Sequence, residues 1–180
     1  MTKNFEYLDI VDEDDKVIDK KTYEECHEKG LLHRSVQIEI YRDETNSQIL
    51  ILRRSKNKKQ SPELLEIPGG HVRSGETYGE AAARELQEEL GLTTPLTEIA
   101  KEKNESGNPE SGIVNRELVR VFKGIWQGRA TDLKLNKHDA TEAEWQSVNK
   151  VVMLAKNAPT LVNSATRLFA RRQFKSSSRS

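Results

Sequence analysis

A chain of 180 residues, 34% hydrophobic and 32% charged, is long enough to bury one good core and is expected to form a single domain. Lys plus Arg and Asp plus Glu stand at 29 each, so no overall field draws the chain to nucleic acid or a membrane surface, and any attraction for phosphate is local. The single cysteine, Cys26, excludes an internal disulfide; no apolar run reaches the roughly 20 residues of a membrane span; and the start MTKNFEYLDIVDEDD is no basic-then-apolar leader, so a cytoplasmic protein is expected.

In chain order, residues 7–11 and 17–20 read as the strands of a hairpin around 12–15, an acidic turn expected to be solvated loop. Thr22 is placed to cap a short helix over 23–27 that Gly30 ends. Residues 35–41 alternate in apolar character and 49–52 are apolar throughout, so both are expected as core strands. The stretch 53–59, RRSKNKK, is either a solvated cationic loop or, through Arg53 or Arg54, a contact for substrate phosphate. A short strand at 66–68 leads into a glycine pair. A helix over 77–90 follows, with Thr77 and Glu80 as capping box and Ala81, Ala82, Leu86 and Leu90 on its buried side. Further strands are expected at 96–103 and 114–124, around a Gly/Asn/Ser/Pro-rich loop at 104–112, and at 133–135 and 144–148. Helix begins at 151, breaks at Pro159 and resumes over 161–171; residues 173–180 are expected to be a disordered tail. Trp126 and Trp145 are either core residues or faces for a base.

The chemistry concentrates in GGHVRSGETYGEAAARELQEELGL, residues 69–92. Offsets of three and four residues put Glu85, Glu88 and Glu89 on one face of the helix's last turns. Acids there oppose the helix dipole by roughly 0.3–1 kcal/mol each, so a cation should offset them. One reading assigns that cation to Arg84 and solvent. The other assigns it to Mg²⁺ or Mn²⁺, hard ions that take oxygen ligands and keep positions open for phosphate. Gly69, Gly70 and Gly75 favour the second, because backbone without side chains passes close to an ion or a phosphate.

Gly70, Glu76, Arg84, Glu85, Leu86, Glu88, Glu89, Gly91 and Leu92 fill every fixed position of G-x5-E-x7-R-E-U-x-E-E-x-G-U, U being a bulky apolar residue. The chain thereby resembles the Nudix hydrolases. That resemblance implies an α/β/α sandwich with a central mixed sheet over residues 1–172, with 1–33 as hairpin and short helix and 34–172 as core and C-terminal helix. It also implies cleavage of a small-molecule diphosphate linked to a nucleoside, with Mg²⁺ or Mn²⁺ held by Glu85, Glu88, Glu89 and the Gly69 carbonyl. A homodimer is left open.

Beyond the box, CHEKGLLHRS, Arg53-Arg54-Ser55, Gly69-Gly70-His71 and SGIVNRELVRVF look like type 1 isopentenyl-diphosphate isomerase and its hydrolase relatives. The likeness implies a second metal position at His27 or Cys26, His33, His71 and Glu117. The isomerase places a cysteine immediately before its Gly-His pair, where this chain has Gly69, and a further glutamate where it has Asn115. The hardware for proton transfer at carbon is thus missing and the Arg84-Glu85-x-x-Glu88-Glu89 set is intact.

The mechanism that follows is metal-assisted attack of water on phosphorus. Glu88 or Glu89, or Asp139, Glu142 or Glu144 from a later loop, takes the proton. Arg84 is expected to hold the glutamates and Glu76 to tie down the turn. Three functions remain in play: a diphosphate hydrolase, an isomerase of prenyl diphosphates, and a silent module that senses a nucleotide.

Overall fold

The computed structural model describes residues 6–58, 60–108 and 113–177. Strands β1 (Tyr7–Val11) and β2 (Val17–Thr22) pair antiparallel, and Asp12 closes their turn by accepting from the N–H groups of Asp14 and Lys16. Helix α1 (Tyr23–Lys29) begins at a reciprocal Thr22–Glu25 capping box and ends on Gly30 in the left-handed region. Both devices are local, which is why they are legible in the sequence.

The acidic turn is solvated at Glu13 and Asp14, as its composition suggests, but not at Asp15. Asp15 turns inward and accepts from Arg34 at 2.7 Å, Arg120 at 2.9 Å and the Tyr78 hydroxyl at 3.0 Å. Burial alone would raise its pKa; the hydrogen bonds from Arg34, Arg120 and Tyr78 outweigh that and hold the carboxyl below its ordinary value of 3.8. Asp15→Asn should therefore cost about 1–3 kcal/mol. A depressed acid contributes fully above its unfolded pKa and loses the contribution as pH falls through the folded value. Thermal melts of wild type and variant, taken from neutral pH into acid, should converge below pH 3.8; a gap that stays constant into strong acid would remove the ion pairs from the account.

The central strand is β3 (Leu32–Tyr41), which runs parallel to β8 (Ile113–Ile125) along its whole length. It also pairs antiparallel with β1, β4 (Gln48–Arg54) and β6 (Gly69–His71). Strand β4 pairs with β5 (Leu65–Glu66) and β9 (Ala140–Ser147), and β7 (Leu96–Asn108) with β8, giving one mixed sheet. Side chains alternate across it. Val36, Ile38 and Ile40 pack with Ala81, Ala82, Leu86 and Leu90 of α2 (Tyr78–Leu90) on one face. Tyr41, Ile49 and Ile51 pack with α3 (Val148–Asn157) and α4 (Ser164–Ser177) on the other, through Val151, Ala155 and Phe169. The architecture is an α/β/α sandwich with a mixed sheet.

Three local expectations are corrected. Residues 133–135 are not a strand: the chain makes a 3-10 turn at Ala130–Asp132, then sends the N–H groups of Lys134 and Asn136 to the Leu90 and Glu89 carbonyls at the end of α2. Their apolar side chains, Leu133 and Leu135, pack on the α2 core instead of pairing in a sheet. Residues 104–108 extend β7 rather than forming loop, because each finds a partner on β8, from Asn104↔Glu117 to Asn108↔Ile113; cross-strand pairing overrides turn composition. The rest of that loop, 109–112, lies outside the described residues. Helix α4 continues to Ser177, so 173–177 are helical rather than tail, and 178–180 lie outside the described residues.

Candidate active site

Glycines bring three segments together at one end of the sheet. Gly69 and Gly70 pair with Gln37 and Val36 of β3, and the Ile38 N–H donates to the Pro68 carbonyl just before them. A Cβ on Gly69 would lie 2.2 Å from the Val36 carbonyl oxygen, and one on Gly70 would lie 2.4 Å from the Glu85 carboxyl carbon. Any side chain at 70 would thus occupy the space of the Glu85 carboxylate. Helix α2 starts at a Thr77–Glu80 capping box, worth about 1 kcal/mol, and stops on Gly91 in the left-handed region. Those two ends set where the last two turns present their acids.

Arg84 is the hub of that face. It donates to both oxygens of Glu76 at 2.8 and 2.9 Å, to Glu85 at 2.6 Å, to Glu88 at 3.3 Å and to the His71 carbonyl at 3.0 Å. Glu76 also accepts from the Arg73 N–H, which ties the Gly75 turn to the helix. Burial would raise the Glu76 carboxyl, and the Arg84 hydrogen bonds outweigh it and hold it low. Burial raises Glu85 despite Arg84. Glu88, the most exposed of the acids, is bridged by Arg73 at 3.2 Å.

Glu89 stands apart. It is 8% exposed, its Oε2 has no hydrogen-bond partner, and Arg84 does not reach it among the described contacts. Burial, then the nearby Glu66, Glu85 and Asp139 carboxylates, push its pKa well above the usual range, against a smaller opposing effect of Lys58. Arg84, Arg73 and solvent therefore partner three of the four box acids and leave this one. A buried carboxyl whose oxygen meets other carboxylates instead of a donor fits a divalent cation, which takes the place of its proton.

A second cluster lies in the same cleft. His27 from α1, His33 from β3 and His71 from β6 bring ring nitrogens within 4.8 Å of one another. Nδ1 of His27 and of His33 each lie 2.8 Å from a backbone carbonyl, of Tyr23 and Leu31, so these nitrogens carry the protons and Nε2 is the free acceptor. The Nε2 atoms of His33 and His71 are buried without hydrogen-bond partners among the described residues. Burial depresses the pKa of both imidazoles, which keeps them neutral, the form that binds metal. Glu117 approaches His71 Nε2 at 3.7 Å and accepts from Asn104 at 2.8 Å. Cys26 is not part of the cluster. It packs against Leu8 and Ile10, and burial pushes its thiol up to about 11.

Both clusters open on one cleft of about 530 Å³. Arg54 lines it, ion-paired with Glu66 and bonded to the Gln60 carbonyl. Arg53 does not: it pairs with Glu142 at 3.2 Å beside a separate pocket formed with Ile51, Leu65 and Glu144. Adjacent strand residues face opposite ways, so a contact through either arginine reduces to Arg54. By the same division Asp139 lies in the main cleft, where Lys58 holds it at 2.5 Å, while Glu142 and Glu144 line the other pocket. Trp126 and Trp145 stack on each other, ring centroids 5.9 Å apart, against the α2 core.

Glu66 and Lys58 escaped the sequence reading. Glu66 is buried, takes the Arg54 guanidinium and the Asn163 amide on Oε2, and leaves Oε1 unpartnered among the described residues. Its signal was available in LLEIPGG: one acid in an otherwise apolar strand needs a buried partner.

Residues 31–169 match the family model of the NUDIX domain. The chain belongs to this family. Among curated proteins, an uncharacterized Nudix hydrolase of Nostoc is 43% identical over 93 residues, 51% of this chain and 54% of that protein. An isopentenyl-diphosphate delta-isomerase of Serratia proteamaculans is 30% identical over 125 residues, 69% of this chain and 68% of the isomerase. The chain thus spans little more than half the Nostoc relative, and it lies in the part of the Nudix superfamily that resembles the isomerases. In fold it is similar to DR0079 of Deinococcus radiodurans, with a TM-score of 0.73 at 24% identity over 92% of this chain and 98% of that one.

Proposed function

We propose that this Nudix chain is a metal-dependent hydrolase that cleaves a diphosphate linkage in a nucleoside-diphosphate-type substrate by attack of water on phosphorus. The observation that carries the reading is Glu89, a buried carboxylate in the cleft with an unpartnered oxygen that Arg84 does not neutralise. Glu85, Glu88, Glu89 and the Gly69 carbonyl would hold Mg²⁺ or Mn²⁺. When bound, such an ion neutralises diphosphate charge and lowers the pKa of a water.

The chain's own residues do the rest. Arg84 fixes Glu85 and Glu88 in orientation, and Glu76 anchors Arg84 while pinning the Gly75 turn. Lys58 and Arg54 supply positive charge beside the phosphates. Proton acceptance falls to Glu88, Glu89 or Asp139, since Glu142 and Glu144 line a different pocket.

A second reading, isomerisation of a prenyl diphosphate, draws on the His27, His33, His71 and Glu117 cluster as a further metal position. Against it stand Gly69 where the isomerase has cysteine, Cys26 turned into a hydrophobic cluster, and Asn115, a neutral amide at the cleft in place of a carboxylate. The test is phosphate-product release with Mg²⁺ and with Mn²⁺ over nucleoside diphosphates, nucleotide sugars, dinucleotides and isopentenyl diphosphate. Metal-dependent hydrolysis of a nucleoside substrate is expected; rearrangement of isopentenyl diphosphate without phosphate release would replace this reading by the second.

A further inference from the structure

The cleft holds a buried hydrogen-bond acceptor whose direction is dictated by its neighbours. Gln37 is 1% exposed and sits on β3 beside Gly69, two residues along the same face from Ser35, which pairs with His71. Its Nε2 donates to Glu39 Oε1 at 2.9 Å. Glu39, itself wholly buried, also accepts from the Tyr41 hydroxyl at 2.8 Å and ion-pairs with Arg172 of α4. A carboxylate matched to a guanidinium only accepts, so the amide can be turned one way: NH₂ toward Glu39, carbonyl away from it. That carbonyl oxygen has no hydrogen-bond partner among the described residues, and Gln37 lines the cleft. Tyr41, Glu39 and Arg172 therefore act as a frame that turns one buried acceptor away from Glu39, in a residue that lines the cleft.

We propose that Gln37 is a specificity-determining residue whose carbonyl accepts a hydrogen bond from a hydroxyl or amino group on the non-phosphate part of the substrate. Ligands that satisfy it carry a sugar or an amino-bearing base; a prenyl arm has no donor and leaves the acceptor unpaired, which a polar site penalises. Ser164 at the start of α4 and Asn115 on β8 line the same cleft, so the surroundings of this acceptor suit a hydroxylated arm. The inference rests on the hydrolase reading for the identity of the ligand, and on the Gln37 amide for its chemistry.

Binding, which needs no turnover, tests it. An α,β-methylene-bridged nucleoside diphosphate and plain methylenediphosphonate, which shares the bridged phosphorus atoms and lacks the arm, are titrated calorimetrically with Mg²⁺ into wild type and Gln37→Met. The variant should bind the nucleoside analogue about tenfold more weakly and methylenediphosphonate as wild type does. Equal loss for both ligands would put the oxygen on phosphate or metal and overturn the inference, as would no loss for either or a wild type that binds neither. If Gln37→Met does not fold, the Gln37 Cδ resonance of ¹³C-labelled wild type must move with the nucleoside analogue alone. Movement with methylenediphosphonate as well, or with neither, overturns it. A wild type that shows the selective effect yet releases no phosphate from any substrate sinks the hydrolase reading and leaves Gln37 in place.

Discussion

Glu89→Gln lowers metal-dependent turnover by about 10²- to 10³-fold or more and leaves the protein folded. Glutamine fills the same volume, so the packing around Leu86 and Leu90 is kept. What is lost is the one box carboxylate that Arg84 does not neutralise. The same change has a second signature in the metal-free protein. Burial and the neighbouring acids raise the folded-state pKa of Glu89 above its ordinary 4.5. An acid raised on folding binds its proton more tightly in the native state, so wild type loses stability as pH rises from 4.5 through the folded value. Glutamine has no proton to lose, and the melting temperature of the variant should gain on that of wild type over that interval. Steady-state kinetics with Mg²⁺ and a pH series of melts in chelator measure the two effects. Retention of wild-type turnover would remove Glu89 from the mechanism.

Arg172→Met lowers stability by about 3–5 kcal/mol, because it strands a carboxylate with no exposure to solvent. Glu39 keeps only the Gln37 amide and the Tyr41 hydroxyl as described donors when the guanidinium goes. For a chain of this size the loss corresponds to a fall in melting temperature of roughly 6–20 °C. The Tyr41 phenol shares this environment: burial first, then the Glu39 charge, raise its pKa. Removing both charges should cost far less than removing one, since a buried pair exchanged for apolar groups of similar volume is often neutral. Denaturant titrations of Arg172→Met, Glu39→Leu and the double variant measure the coupling. A single variant within about 1 kcal/mol of wild type would mean that water reaches Glu39 and dissolves the argument.

These two residues also mark where sequence reasoning worked and where it stopped. Glu85, Glu88 and Glu89 were legible as one acidic helix face because helical spacing alone puts them there. Thr77, Glu80 and Gly91 bounded their helix for the same local reason. Arg172 lies 133 positions from Glu39, in a stretch whose residues next to it read as tail. Nothing within a turn of either residue announces the pair. Strand β3 was legible as a core strand, but its alternation says nothing of what covers Ser35, Gln37 and Glu39, which are buried by α4 and the cleft. Arg53 and Arg54, identical in type and adjacent in sequence, face different pockets, and no composition argument separates them.

The sequence by itself determined the helix ends, the hairpin, the glycine turn and the acid face, because caps, left-handed glycines and helical periodicity involve residues within a few positions of one another. Tertiary structure decided which polar side chains are buried and what each one faces. It set Asp15 between Arg34 and Arg120, Glu66 on Arg54, Asp139 on Lys58, and His27 beside His33 and His71. The pKa and partner of such a group depend on the solvent it loses and on charges brought from distant segments, and the packing of the sheet against α1 and α4 sets both.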